Sequence, residues 1–159
     1  MVTVPFASFS SFFSFCFFSP LLLLSRHAES PPPLTQMEEM FYNAVQSGNV
    51  EEMKEVLRRN PNYNANLRDT EDGDRTALHD ACQNGHYSIV SILLTHPDID
   101  VNLGTDDEET PFFWACYSGS TSCVRLLLKD ARVKVNEPDD DGYTPLLWAA
   151  TSGHLDIIK

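Results

Sequence analysis

An all-α solenoid of stacked helix-turn-helix units, joined by β-hairpin loops, is the fold this sequence predicts. Three observations carry it. Thr76, Thr110 and Thr144 stand 34 residues apart, as do Ala81, Ala115 and Ala149, and as do Gly85, Gly119 and Gly153. A fixed interval of this size marks repeated units that stack on one another rather than a single wrapped core. Each Thr-to-Gly interval holds one short helix, and each glycine is followed by a second run with one apolar face. Helices this short are marginal alone, because nucleation is costly and few hydrogen bonds follow it. Each must therefore bury its face against the next unit, where apolar area contributes about 25 cal/mol per Å².

The elements follow in chain order. Residues 1–36 form a Phe-, Ser- and Leu-rich leader whose only charges are Arg26 and Glu29, ending in the Pro-rich "SPPPL", a stiff spacer. Residues 2–25 admit three readings. The length suits a membrane anchor, with Arg26 and His27 keeping the repeats cytosolic. A secretory signal wants basic residues before the apolar run, which are missing, and a small-residue cleavage site, which "RHAES" supplies poorly. A non-structural low-complexity leader is the third. Residues 37–66 read as a degenerate capping unit, with Thr35/Glu38 as a capping box and Asn49/Glu52 as a looser one.

Units 67–102, 103–136 and 137–159 then share one plan. Thr76, Thr110 and Thr144 cap the first helix, with Pro111 and Pro145 at its first position, where a missing N–H costs nothing. Gly85, Gly119 and Gly153 end it in a left-handed turn. The second helix presents Ile89, Val90, Leu93 and Leu94, then Cys123, Val124, Leu127 and Leu128. A polar stretch through "DVN" or "KVN" leads to a tight hairpin. The third of these units lacks the leucines expected after Ile157 and Ile158 and reads as incomplete, so the chain is expected to stop inside a repeat and to fray from Gly153 onward.

The segments "TALHDACQNGHYSIVSILL", "TPFFWACYSGSTSCVRLLL" and "DGYTPLLWAATSGHLDIIK" resemble ankyrin repeats over roughly residues 37–159. Only His79 fills the histidine of the family phrase T-P-L-H; Phe113 and Leu147 replace it. The resemblance implies that His79 bonds to neighbouring loop backbone and that the other joints lean on packing. Glu108 stands where Gly142 does, and Gly73 lies one step out of register. The resemblance also implies a concave binding surface on the hairpin tips and first helices. By position this is Arg75, Asp80, Gln83, Asn84, Asp107, Glu109, Trp114, Tyr117, Ser118, Asp140, Tyr143, Trp148, Thr151 and Ser152. Trp114 and Trp148 serve either as interface anchors or as a pair stacked on each other across the joint. Tyr117 and Tyr143 are expected to be exposed.

The net charge of −12 argues against a nucleic-acid partner. It suits a protein partner with a basic segment, docked where "DTEDGD", "DDEE" and "DDD" line the hairpin tips, although solvated turns explain these runs too. Neither a cofactor nor a metal is expected: calcium needs six to eight converging oxygens, and no Cys/His set has zinc spacing. No phosphate loop or catalytic motif occurs, and His86 and His154 hold one equivalent repeat position. Cys82 and Cys116 read as small buried residues of a reducing compartment, and Cys123 has no histidine at a motif spacing that would make it a catalytic thiol. The expected function is a non-enzymatic, monomeric protein-recognition module, cytoplasmic or nuclear. The competing readings are the regulatory or targeting N-terminal part of a larger enzyme or channel, and a membrane-tethered adaptor reached through residues 2–25.

Overall fold

Each predicted threonine opens a helix. The structure, a computed structural model, describes residues 35–159; the three readings of residues 2–25 and the Pro-rich spacer lie outside them. Thr35 accepts the Glu38 N–H at 3.4 Å while the Glu38 carboxylate accepts the Thr35 N–H at 2.6 Å. This reciprocal pair starts α1 (Gln36–Ser47), followed by α2 (Val50–Arg59). The next pairs are α3 (Ala77–Gln83) with α4 (Tyr87–Leu94), α5 (Pro111–Tyr117) with α6 (Thr121–Leu127), and α7 (Pro145–Thr151) with α8 (Leu155–Ile158). Thr110 Oγ1 accepts the Phe113 N–H at 3.2 Å. Thr144 holds the same position without a side-chain bond. The first helix of each pair ends before a glycine in the left-handed region: Gly48, Gly85, Gly119 and Gly153 have φ of 72°, 70°, 74° and 77°.

The loops differ in how much strand they contain. Before α3, β1 (Arg68–Asp69) pairs antiparallel with β2 (Arg75–Thr76), Arg68 opposite Thr76. The two later loops close instead through two backbone bonds each, Thr105 N to Glu109 O at 3.1 Å with Glu108 N to Thr105 O at 3.0 Å, and Asp139 N to Tyr143 O with Gly142 N to Asp139 O, both at 3.0 Å. Asp74, Glu108 and Gly142 share one register and all take positive φ. Glu108 thus accepts a conformation that glycine adopts more cheaply. The tips are tied in sequence: Asp106 N donates to Gly73 O and Asp140 N to Asp107 O, both at 3.1 Å. On the other side the Asn residues of the repeat join successive units. Asn66 Nδ2 donates to Asp98 O while Asn66 Oδ1 accepts from Asp100 N; Asn102 does the same with Arg132 O and Lys134 N.

Packing follows the predicted stripes. The inner helices α1, α3, α5 and α7 pack in series, and the outer helices α2, α4, α6 and α8 do likewise. Phe41, Val45, Met53, Leu78, Ile89, Leu93 and Leu127 are fully enclosed in one continuous core. Leu128 departs from expectation, being 57 % exposed. Helix α6 ends at Leu127, so Leu128 caps it beyond the last turn that packs inward. Among the described residues no helix is long and apolar enough to cross a membrane.

Candidate functional site

One column of residues, 34 apart, runs across the inner helices: Gln46 on α1, Asp80 on α3, Trp114 on α5 and Trp148 on α7. Contacts pass along it from unit to unit. Gln46 Nε2 donates to Asp80 Oδ2 at 2.9 Å. Asp80 Oδ1 lies 2.7 Å from an Arg75 guanidinium nitrogen, and the Arg75 guanidinium carbon sits 4.3 Å from the Trp114 ring centroid. The Tyr117 ring then stands 5.6 Å from both tryptophans, edge to face with each. Tyr143 and Phe113 each stand 5.9 Å from Trp148, edge to face, and Phe113 lies parallel to Tyr117 at 6.4 Å. The two tryptophans therefore do not stack on each other. Tyr117, one turn after Trp114 on the same helix, occupies the space between them.

The predicted surface residues fall into three groups. Tyr117 and Tyr143 are exposed, at 42 % and 46 %, as expected. Asn84, Asp107, Asp140, Thr151 and Ser152 are also exposed, and Arg75, Gln83, Glu109, Trp114, Ser118 and Trp148 are partly covered. Asp80 is the exception at 3 % exposure. Its carboxylate turns into the joint to meet Gln46 and Arg75, so it supports the surface instead of forming it. A second correction concerns the acidic tips, read as solvated turns: Asp139 is buried. It accepts the Tyr143 N–H at 2.7 Å and the Trp148 indole N–H at 3.0 Å. Asp139 and Gln46 make contacts within this cluster that the sequence did not single out. Gln46 was visible in the 34-residue column, whereas Asp139 looked like one more tip carboxylate.

His79 and Asp80 are neighbours with opposite electrostatics. His79 Nδ1 accepts the Thr76 N–H at 2.9 Å, and Nε2 donates to Glu109 O at 3.1 Å. Charging the ring would place a proton on Nδ1, facing a donor. Burial, first, and the nearby Arg75 charge hold its pKa down to about 4. Burial is also the main reason that Asp80 is pushed up to about 6, with Arg75 opposing and Asp72 and Asp69 adding. The consequences for stability oppose each other. His79 costs the fold stability as pH drops from its ordinary 6.5 toward 4. Asp80 returns stability as pH drops from 6 toward its ordinary 3.8. We expect Asp80→Asn to remove the compensation. Urea unfolding at pH 4.5 against pH 6.5 should show an acid loss about 1–2 kcal/mol larger than in the wild type; an unchanged difference would contradict this.

The remaining chemistry-bearing side chains are structural. His86 Nε2 donates to Gln46 O at 3.1 Å and His154 Nε2 to Tyr117 O at 3.0 Å, so each ties its unit to the one before. Cys82, Cys116 and Cys123 are buried free thiols. Burial raises all three pKa values, that of Cys116 up to about 12, the reverse of what a reactive thiolate needs. Among the described residues no group of three or more His, Cys, Asp or Glu is placed to hold a metal ion. A protein-family model for ankyrin repeats, in three copies, matches residues 21–105 and 99–159. No curated protein matches the chain.

Proposed function

The chain belongs to the ankyrin-repeat family, whose repeats generally mediate protein–protein contacts, and from that membership we infer a non-enzymatic recognition module that binds a partner protein on its inner-helix and hairpin-tip face. One observation supports this face above others. Tyr117 and Tyr143 expose part of their rings from a fixed aromatic cluster, beside the exposed carboxylates of Asp107 and Asp140. Rigid aromatic side chains with a polar tip are favoured interface anchors, since little rotamer freedom is lost on binding. The flanking negative charge suits a partner with a basic segment and raises its rate of encounter. The binding set is Arg75, Gln83, Asn84, Asp107, Glu109, Trp114, Tyr117, Ser118, Asp140, Tyr143, Trp148, Thr151 and Ser152.

The test is affinity isolation with the full chain, followed by titration of the purified partner. Tyr117→Ala with Tyr143→Ala should weaken binding about 30-fold, equivalent to about 2 kcal/mol. Asp107→Asn with Asp140→Asn should mainly slow association and flatten its dependence on salt. Far-UV circular dichroism should remain that of the wild type in both. Unchanged affinity and kinetics in both pairs would remove this face from the interaction.

A further inference from the structure

Each unit of the stack covers one face of the unit before it, and the helix pair α7–α8 presents that same face to water. The 34-residue register identifies it. Leu78 with Phe112, His79 with Phe113, Cys82 with Cys116 and Val90 with Val124 are all at most 6 % exposed. Two of them show what covers them. His79 Nε2 donates to Glu109 O, and the Phe113 ring stands 5.9 Å from Trp148, so both reach into the following unit. Adding 34 to the second member of each pair gives Leu146, Leu147, Ala150 and Ile158, on α7 and α8. Leu146 is 51 % exposed, Leu147 45 % and Ile158 42 %, and Ala150 is exposed as well. Leu155 does not belong to this face, because its equivalent Tyr87 is exposed inside the stack too. The opposite end of the solenoid is different. Glu39 and Asn43 on α1 and Glu51, Lys54 and Arg58 on α2 are exposed, and among the described residues neither helix leaves a large apolar side chain in water.

We propose that the face formed by Leu146, Leu147, Ala150 and Ile158 pairs with the same face of a second copy of this chain, giving a two-fold dimer. It shares no residue with the binding set named above. The repeat interface itself defines what fits there: α5 packs on α7 and α6 on α8, a helix pair laid on a helix pair, and a second copy continues that interface with apolar side chains at the same spacing. Two arrangements are open to a second copy. Stacking α7–α8 on the α1–α2 end would press the leucines against Glu39 and Lys54, taking charged groups out of water without pairing them. That arrangement is also open-ended and would grow into a filament. Pairing like with like sets apolar surface on apolar surface and closes at two copies. Few side chains take part, which places the interface in the weak, transient class. Each copy carries a net charge of −12, so repulsion opposes pairing and salt screens it. The dimer therefore tightens as salt is added, and it stands in place of the monomer expected from the sequence.

Sedimentation velocity of the full chain over a micromolar-to-millimolar series tests it, with hydrogen exchange followed by mass spectrometry on the same samples. The mass should rise from the 17.9 kDa of one chain to twice that and stop. The dissociation constant should lie in the micromolar range and fall on addition of sodium chloride. Exchange should slow in α7 and α8 as concentration rises and stay constant in α1 and α2. Leu146→Glu combined with Leu147→Glu should weaken the pair at least about 100-fold, because each carboxylate would be pressed against apolar surface. Ala150→Glu, an independent change on the same face, should weaken it in the same sense. Leu128→Glu, equally exposed but at the end of α6, should pair as the wild type does. All these variants should keep the wild-type far-UV circular dichroism. A wild-type mass that stays at one chain, growth past two chains, or concentration-dependent protection of α1 and α2 would overturn the proposal. Pairing that survives the glutamates at 146, 147 and 150 would overturn it too, as would equal weakening by Leu128→Glu.

Discussion

Truncating Leu127 to alanine will lower the unfolding free energy by about 2–5 kcal/mol, and the same change at Leu128 will lower it by less than about 0.5 kcal/mol. The two leucines are adjacent and chemically identical, so the comparison reads chiefly the difference in their burial. Leu127 is fully enclosed between units, whereas Leu128 lies past the end of α6 with 57 % of its surface in water. Removing three buried carbons forfeits their transfer free energy and leaves a cavity that neighbouring repeats close only in part. Domains of this size are stable by about 5–15 kcal/mol in total, so the Leu127 variant sits near the margin. Because a solenoid is stabilised through its nearest-neighbour contacts, the loss should also loosen the units on either side. Urea titrations of both variants decide the matter, and similar midpoints would mean that α6 does not hold the stack together.

That contrast also shows which parts of this molecule were legible in the sequence. Positions that govern the backbone were readable, because their physics is local. A capping threonine, a proline at the first helical position and a glycine with positive φ each act within one turn, and the 34-residue interval repeats them. Even Glu108, an unfavourable residue for a left-handed turn, was placed correctly by register alone. The Asn66 and Asn102 bridges escaped notice as contacts, although the recurrence of these asparagines was plain.

Apart from Leu128, which the end of α6 leaves in water, the readings that needed correction concern side chains whose surroundings come from another unit or a distant loop. Asp80 is buried because Gln46, 34 residues earlier, and Arg75 converge on it; nothing in "LHDAC" signals either partner. Asp139 looks like its exposed neighbours Asp140 and Asp141 until the Trp148 indole, nine residues later, is brought above it. The tryptophans were expected either to anchor a partner or to stack on each other, and the ring of Tyr117 separates them. In a stacked array the register reports where a side chain starts, while the identity of the neighbouring unit decides where it ends. The candidate surface was therefore legible as a set of positions but not as a pattern of contacts.

The same reasoning, applied to the turn glycines, predicts that Gly119→Ala will cost about 2–4 kcal/mol and that most of this depends on one side chain of the following unit. Part of the cost is local. At φ 74° an added Cβ crowds the following carbonyl, which is worth about 1–2 kcal/mol. The rest is a collision, because that Cβ would lie 2.5 Å from His154 Nδ1 and 2.6 Å from Cε1. The ring cannot swing away freely while its Nε2 donates to Tyr117 O. Gly48 meets His86 in the same manner, at 2.8 Å. At Gly85 the following unit offers Ser120 instead, whose small hydroxyl stands 3.1 Å from the added carbon. At Gly153 the added carbon meets nothing within 4 Å among the described residues. The expected order of destabilisation is thus Gly153→Ala, then Gly85→Ala, then Gly48→Ala together with Gly119→Ala. His154→Ser, which copies the arrangement over Gly85, should recover about 1–2 kcal/mol of the Gly119→Ala cost in a double-mutant cycle, after the loss of its own bond to Tyr117 is subtracted. Backbone strain alone would make all four alanine variants equivalent and leave the cycle without a coupling energy. A coupling energy of that size would mean that the turn at Gly119 is built to admit the side chain that opens the second helix of the unit stacked behind it.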